Sequence, residues 1–199
     1  MYVKNKEMYH FNNYERRKDI WTVGNTIDTD GYIADFWSYI LQFNSLVMGD
    51  DGCTKPFHEV IDTFLKCDHD KKVYMKVLND VSTILRRYST VQRELILEDV
   101  RSKYYPDLPS RKDSIYLCSY EQIDYWKNTF DRCTTCDLFK VSVTGELFKT
   151  SDYLIPRDSV SVSTMYEEAF DYWNADLKDL DSNGDEYLLR GRVKILEKL

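Results

Sequence analysis

The spacing of hydrophobic and polar residues changes twice along the chain. Residues 7–11 alternate, which predicts a first strand, and residues 33–104 follow the three-to-four-residue spacing of amphipathic helices. Alternation returns after Pro106 and Pro109, which end the helical block because proline disfavours the α conformation in the residue before it. Later strands are predicted at 114–118 and 138–145, with residues 146–150 continuing the latter after a turn. The order of elements predicts an α+β fold.

The whole chain, residues 1–199, is predicted to be a single domain, and residues 31–105 form a mainly helical insertion between its first two motif strands. Ser119 and Gln122 predict the start of a helix over 120–130. Ser163 or Thr164 is expected to cap another helix, over 165–173. Residues 185–199 read as a β-hairpin with a tight turn at Arg190-Gly191-Arg192.

Composition and charge limit the possible functions. A hydrophobic share of 43% and a charged share of 31% are typical of a folded protein with a substantial core. The net charge of -7 argues against broad non-specific binding to nucleic acid or to an anionic membrane, although a local basic patch stays compatible with it. No apolar run has the length of a membrane span and no signal sequence is evident, so we predict a cytoplasmic protein without a membrane partner.

Cysteine and acidic motifs do not complete a metal site. The five cysteines have no disulfide-framework spacing, which favours a reducing compartment. The pair Cys133 and Cys136 has the spacing of half a zinc site without further ligands. Residues 179–184 match the start of a calcium-binding loop, but Arg190 stands where the bidentate glutamate belongs. We therefore predict no metal.

Three residues on predicted strands are the candidates for chemistry: His10, Tyr116 and Glu186. Taken singly, each is an ordinary strand residue. Together they resemble the ADP-ribosyltransferase superfamily, in its diphtheria-toxin-like and PARP-like branch, which carries His, Tyr and Glu on three separate strands. The matching segments are Tyr9-His10-Phe11, Ile115-Tyr116-Leu117-Cys118-Ser119 and Glu186-Tyr187-Leu188-Leu189. The chain also resembles an uncharacterised bacterial family of ADP-ribosyltransferase-like proteins, which has a Pro-Ser-Arg segment before the tyrosine strand, here Pro109-Ser110-Arg111.

This resemblance spans nearly the whole chain through short motifs. It implies a split antiparallel β-sheet core and NAD as a co-substrate, without a metal. It assigns Glu186 as the catalytic carboxylate, Tyr116 as the platform for the nicotinamide ring and His10 as a donor that anchors a ribose hydroxyl. Tyr125 or Trp126 would close the other side of the nicotinamide ring. Arginine grips phosphate bidentately, so the candidates for the pyrophosphate are Arg16, Arg17, Arg101 and Arg111.

Cleavage of NAD passes through an oxocarbenium-like state, which a carboxylate stabilises. The resemblance therefore implies a mono-ADP-ribosyltransferase acting on a macromolecule, either protein or nucleic acid. A basic groove formed by Arg86, Arg87, Arg93 and Lys103 would favour nucleic acid. Phe11-Asn12 follows His10 where the family has a pair of small residues, so a non-catalytic interaction module is the alternative, beside an NAD hydrolase or an RNA 2′-phosphotransferase. A role as a toxin, and a partner protein that neutralises or regulates it, are left open.

Two other groups of residues are weaker candidates. Glu167 and Glu168 fall on a predicted helix, where an acidic pair near the N-terminus is favoured by the helix dipole. His58 and His69 lie within the helical block without a second ligand pattern. We expect neither group to carry the chemistry.

Overall fold

A computed structural model describes residues 1–13, 19–42, 44–48, 52–66, 68–130 and 136–199. The protein is a mixed α+β structure with an antiparallel sheet, as the sequence predicts. The described strands and helices, in chain order, are β1 (Tyr2–Asn13), β2 (Thr26–Asp28), α1 (Asp35–Gln42), β3 (Leu46–Met48), β4 (Thr54–Pro56), α2 (Phe57–Phe64), α3 (Lys71–Tyr104), β5 (Ile115–Leu117), α4 (Ile123–Phe130), β6 (Cys136–Ser151), α5 (Val162–Asn174) and β7 (Asp185–Lys198).

Strand β6 lies at the centre of the sheet, between β1 and β7, and both pairings are antiparallel. The other edge of β7 is shared by two short strands, because β5 pairs with Tyr187 to Leu189 while β2 pairs with Arg192 to Lys194. Tyr116 stands opposite Leu188, two residues from Glu186 on β7. The pairing of β5 with β7 therefore places the tyrosine strand beside the glutamate strand.

Two backbone hydrogen bonds join the edges of this sheet. The N–H of Tyr9 on β1 donates to the carbonyl of Cys118 just after β5, and the N–H of Cys118 donates back to the carbonyl of Tyr9, each over 2.9 Å. Since β1 and β5 lie on opposite sides of the β6–β7 pair, this bridge closes the sheet on itself. It brings the strand of His10 against the strand of Tyr116.

The predicted hairpin at the end of the chain is wrong. Residues 185–198 form a single 14-residue strand that pairs with β6 on both sides of Gly191. Gly191 stands opposite Gly145, and a Cβ added at Gly191 would lie only 2.7 Å from the Gly145 Cα. The glycines permit a close crossing of two continuous strands rather than a turn. For the same reason β6 runs through Gly145 without the predicted turn.

The insertion predicted at residues 31–105 contains α1, the β3–β4 hairpin, α2 and α3. Helix α3 runs without a break over 34 residues because no glycine or proline interrupts it, and its N-cap Asp70 accepts from the N–H of Val73. Buried residues concentrate in its C-terminal half. Among the helices that the structure describes, none combines the length and apolar character needed to cross a membrane.

Helices α3 and α5 cover the face of β7 that carries Leu188. The indole N–H of Trp173 donates to the Leu97 carbonyl over 2.8 Å, and Thr150 on β6 donates to the Tyr172 carbonyl over 3.0 Å. These bonds fix α5 to both α3 and the sheet. The predicted capping of Ser119 by Gln122 is confirmed, whereas α5 begins earlier than predicted, with Ser161 as its cap.

We predict that Gly191→Ala destabilises the fold by about 1–3 kcal/mol more than Gly24→Ala. Both glycines have positive φ, but a Cβ at Gly24 meets no atom within 4 Å, whereas one at Gly191 collides with the backbone of β6. Chemical denaturation of the two variants isolates the cost of the close strand crossing. Equal losses in the two variants would contradict this account.

Candidate active site

His10, Tyr116 and Glu186 line one cavity of about 460 Å³ between the sheet and its helices. A cavity of this size is typical of a small-ligand site. It is called the aromatic cleft here because the remaining lining includes Tyr9, Phe11, Tyr32, Phe36, Trp126 and Phe130. The fold thus brings together three residues that lie far apart in the sequence.

The carboxylate of Glu186 is buried and is held by two donors. Arg111 Nη1 donates to Glu186 Oε1 over 2.6 Å, and the hydroxyl of Tyr172 donates to the same oxygen over 2.5 Å. Glu186 Oε2 accepts no hydrogen bond from any described residue. One oxygen is therefore fixed by the protein, and the other is available to a ligand.

A second buried carboxylate anchors Arg111 from the opposite side. Glu94 on α3 is fully buried and accepts from Arg111 Nε over 2.8 Å and from Nη2 over 3.3 Å. We call Arg111, Glu94, Tyr172 and Glu186 the Arg111 cluster. Because the guanidinium lies between two carboxylates, its position depends on α3 as well as on β7.

The electrostatics of the Arg111 cluster follow from burial. Burial raises the pKa of Glu186 above its ordinary value, although Arg111 and the Tyr172 hydroxyl act in the opposite direction. Burial also works against the charge of Arg111, but Glu94 and Glu186 among its neighbours raise the pKa of Arg111 well above its ordinary value. Arg111 therefore remains charged, and its nearest counter-charges are these two carboxylates.

Glu94 and Tyr172 were not predicted as site residues. Glu94 does leave a signal, since it is a charged residue three positions from both Val91 and Leu97, on the apolar stripe of α3. Tyr172 leaves none, because its spacing from Met165 and Ala169 reads as an ordinary core stripe. Arg111 was predicted to bind the pyrophosphate, but its N–H groups contact Glu94, Tyr172 and Glu186.

His10 is neutral and its tautomer is defined by its partner. Its Nδ1 lies 2.8 Å from the carbonyl of Tyr116, which can only accept, so Nδ1 carries the proton. Burial lowers the pKa of His10 to about 4, and its ring stacks on Trp21 with centroids 3.8 Å apart. Nε2 is then an acceptor. A ribose hydroxyl would therefore donate to His10, the reverse of the direction expected from the sequence.

The aromatic residues predicted around the nicotinamide ring occupy different positions. The hydroxyl of Tyr116 donates to the Arg111 carbonyl over 2.9 Å, and the Arg111 guanidinium lies 5.2 Å from the centre of its ring. Trp126 lines the aromatic cleft and donates to the Asp185 carbonyl over 3.0 Å. Tyr125 is absent from the described lining and packs edge-on against Trp126, with its hydroxyl donating to Asp152.

Phe11 and Asn12 do not fill the aromatic cleft. The ring of Phe11 packs against Phe130 with centroids 5.5 Å apart, and both residues line the cavity that remains. Arg16 and Arg17, like Cys133, lie outside the described residues. Within the described ranges, no group of three or more His, Cys, Asp or Glu side chains is arranged to hold a metal ion.

Comparison with known proteins identifies the family of the chain. Residues 8–199 match the family model described as "Protein of unknown function (DUF2441)", and the chain therefore belongs to that family. No curated protein matches the chain.

We predict that His10 titrates with a pKa near 4 and shows the Nδ1–H tautomer at neutral pH, as measured by NMR of the ring nitrogens. Its unfolded pKa is about 6.5, so the neutral ring stabilises the fold above that value. This contribution is lost as the pH falls from about 6.5 to about 4. His10→Asn retains a donor in place of Nδ1 but cannot titrate, and should lack this component of the pH profile. A ring pKa of His10 at its ordinary value would contradict the prediction.

We predict that Arg111→Met lowers the free energy of unfolding by about 3–5 kcal/mol at neutral pH, because two buried carboxylates lose their cation. The loss should shrink in acid, where Glu186 takes up a proton, and grow as the pH rises. The double variant Arg111→Met/Glu94→Gln should recover part of the stability. Arg157→Met, which removes an exposed ion pair with Glu168, is the control, and a loss as large in this control would contradict the role of burial.

Proposed function

We propose that this member of the DUF2441 family is an NAD-dependent mono-ADP-ribosyltransferase built on an ADP-ribosyltransferase-like core sheet. The observation that supports the proposal most is the meeting of His10, Tyr116 and Glu186 on one cleft. They come from β1, β5 and β7, the three strands to which the resemblance assigns them. Nothing in the short motifs required this convergence, because each residue alone reads as an ordinary strand position.

Glu186 carries the central step in this proposal. The glycosidic bond between nicotinamide and ribose breaks, the bonding electrons leave with nicotinamide, and positive charge develops on the ribose. Glu186 Oε2 accepts a hydrogen bond from a ribose hydroxyl and stabilises that charge, while Arg111 and Tyr172 hold Oε1 in place. The acceptor then forms the new bond to the ribose carbon and loses its proton. A carboxylate oriented in advance needs no rearrangement during the reaction.

His10 and the aromatic residues hold the co-substrate. His10 Nε2 accepts from a second ribose hydroxyl, because Nδ1 is already bonded to Tyr116. One face of the Tyr116 ring is covered by the Arg111 guanidinium, so the nicotinamide ring uses its other face. Trp126, rather than Tyr125, supplies the second aromatic wall, because Trp126 is the one that lines the aromatic cleft.

The acceptor favoured by the surface of α3 is a protein. Two of the four cations considered for a nucleic-acid groove are neutralised: Arg93 pairs with Asp158 and Lys103 pairs with Asp99, both over 2.8 Å. Residues 86, 87, 93 and 103 also point in different directions around one helix, since each residue turns the helix by about 100°. They therefore do not build the continuous positive surface that a phosphate backbone needs.

We predict that Glu186→Gln lowers transfer of labelled ADP-ribose from NAD to lysate proteins by about 100-fold or more, since the amide cannot stabilise the developing charge. Glu146→Gln is the matched control, because Glu146 is an exposed partner of Arg190 outside the aromatic cleft. Undiminished transfer by Glu186→Gln would remove Glu186 from the mechanism.

The same assay separates the alternatives. Release of nicotinamide without labelling of any macromolecule would indicate an NAD hydrolase. No release of nicotinamide by the wild-type protein, with or without lysate, would contradict the enzyme proposal and favour an interaction module.

A further inference from the structure

Arg93 on α3 is a cation in the wall of the aromatic cleft that the proposed mechanism does not use. Its Nη1 donates to Asp158 Oδ1 over 2.8 Å. Its Nε is buried without a hydrogen-bond partner and lies 3.5 Å from Glu94 Oε1. Nη2 also makes no hydrogen bond within the described residues. The edge of the guanidinium formed by Nε and Nη2 is therefore unsatisfied.

A buried donor without a partner is costly, and proteins normally satisfy such groups. The Nε–Nη2 edge presents two parallel N–H groups, which is the geometry that binds two oxygens of one phosphate. The contact with Asp158 leaves that edge free, because it uses Nη1. Asp158 is half-exposed, so it steadies the Arg93 side chain from the outer side of the cleft.

The position of Arg93 suits a phosphate next to the reacting ribose. Arg93 precedes Glu94, which holds Arg111, and Arg111 in turn holds Glu186. Arg111 itself is occupied by two carboxylates and by the Tyr172 hydroxyl. Among the arginines that line the described part of the cleft, Arg93 is thus the one with an open bidentate edge.

We infer that Arg93 is the phosphate-binding residue of the aromatic cleft and grips the phosphate ester attached to the reacting ribose. The inference rests on the proposed function, since it places that phosphate in the same dinucleotide site. It also gives the helical insertion a direct part in binding, because α3 supplies the residue. Specificity for phosphorylated over unphosphorylated nicotinamide ribosides follows from this contact.

The test compares two probes that differ by one phosphate: nicotinamide mononucleotide and nicotinamide riboside. Isothermal titration calorimetry measures the dissociation constant of each probe for the wild-type protein and for Arg93→Gln. We expect Arg93→Gln to weaken nicotinamide mononucleotide binding by about tenfold to a hundredfold and to leave nicotinamide riboside binding within about twofold.

Two further variants separate the fork from the charge and from the ion pair. Arg93→Lys keeps the positive charge without the fork and should recover only part of the affinity for nicotinamide mononucleotide. Asp158→Asn breaks the ion pair but keeps the fork, and should bind nicotinamide mononucleotide like the wild type. A loss of affinity in Asp158→Asn as large as that in Arg93→Gln would overturn the inference.

The remaining outcomes distinguish this inference from the proposed function. If the wild-type protein binds both probes and Arg93→Gln binds them equally well, Arg93 does not hold the phosphate, and the proposed function stands without it. An equal loss for both probes means that Arg93 maintains the shape of the cleft, which also overturns the inference. If the wild-type protein binds neither probe, the NAD site and the phosphate contact both fail.

Discussion

The two hydrogen bonds between Tyr9 and Cys118 are the constraint on which the candidate site depends. They join β1 to the end of β5 and so bring together two strands from opposite sides of the β6–β7 pair. The bond from His10 Nδ1 to the Tyr116 carbonyl is possible only because of this closure. It sets the ring orientation and the tautomer of His10 at once, so a backbone pairing decides which atom of the histidine a ligand meets.

The Arg111 cluster places a second demand on the fold. Two buried carboxylates around one buried guanidinium are expensive to desolvate, and apolar residues of similar size would often be as stable. Their geometry is what gives them a use, because Arg111 and Tyr172 occupy Oε1 of Glu186 and leave Oε2 open. Since Glu94 and Tyr172 come from α3 and α5, these helices are part of the site and not a cover over it.

Each proposal uses a different side of this arrangement. The transferase chemistry depends on the open oxygen of Glu186, whereas the phosphate contact depends on the open edge of Arg93. Glu94 lies between them, with Arg111 on one side and Arg93 on the other. Any displacement of α3 would therefore alter both the alignment of the carboxylate and the seat for the phosphate.

Local patterns in the sequence were sufficient to predict the strands of His10, Tyr116 and Glu186, the cap at Ser119 and the start of the insertion, because alternation, capping and proline act over a few residues. They failed at Gly191, where a local turn signal competed with thirteen paired positions along β6 and lost. They also could not show that Arg111 faces two carboxylates, that Tyr172 reaches Glu186 or that His10 is an acceptor. Those properties arise from residues remote in sequence that are desolvated together, and burial and partner atoms exist only once the sheet has closed and the helices have packed on it.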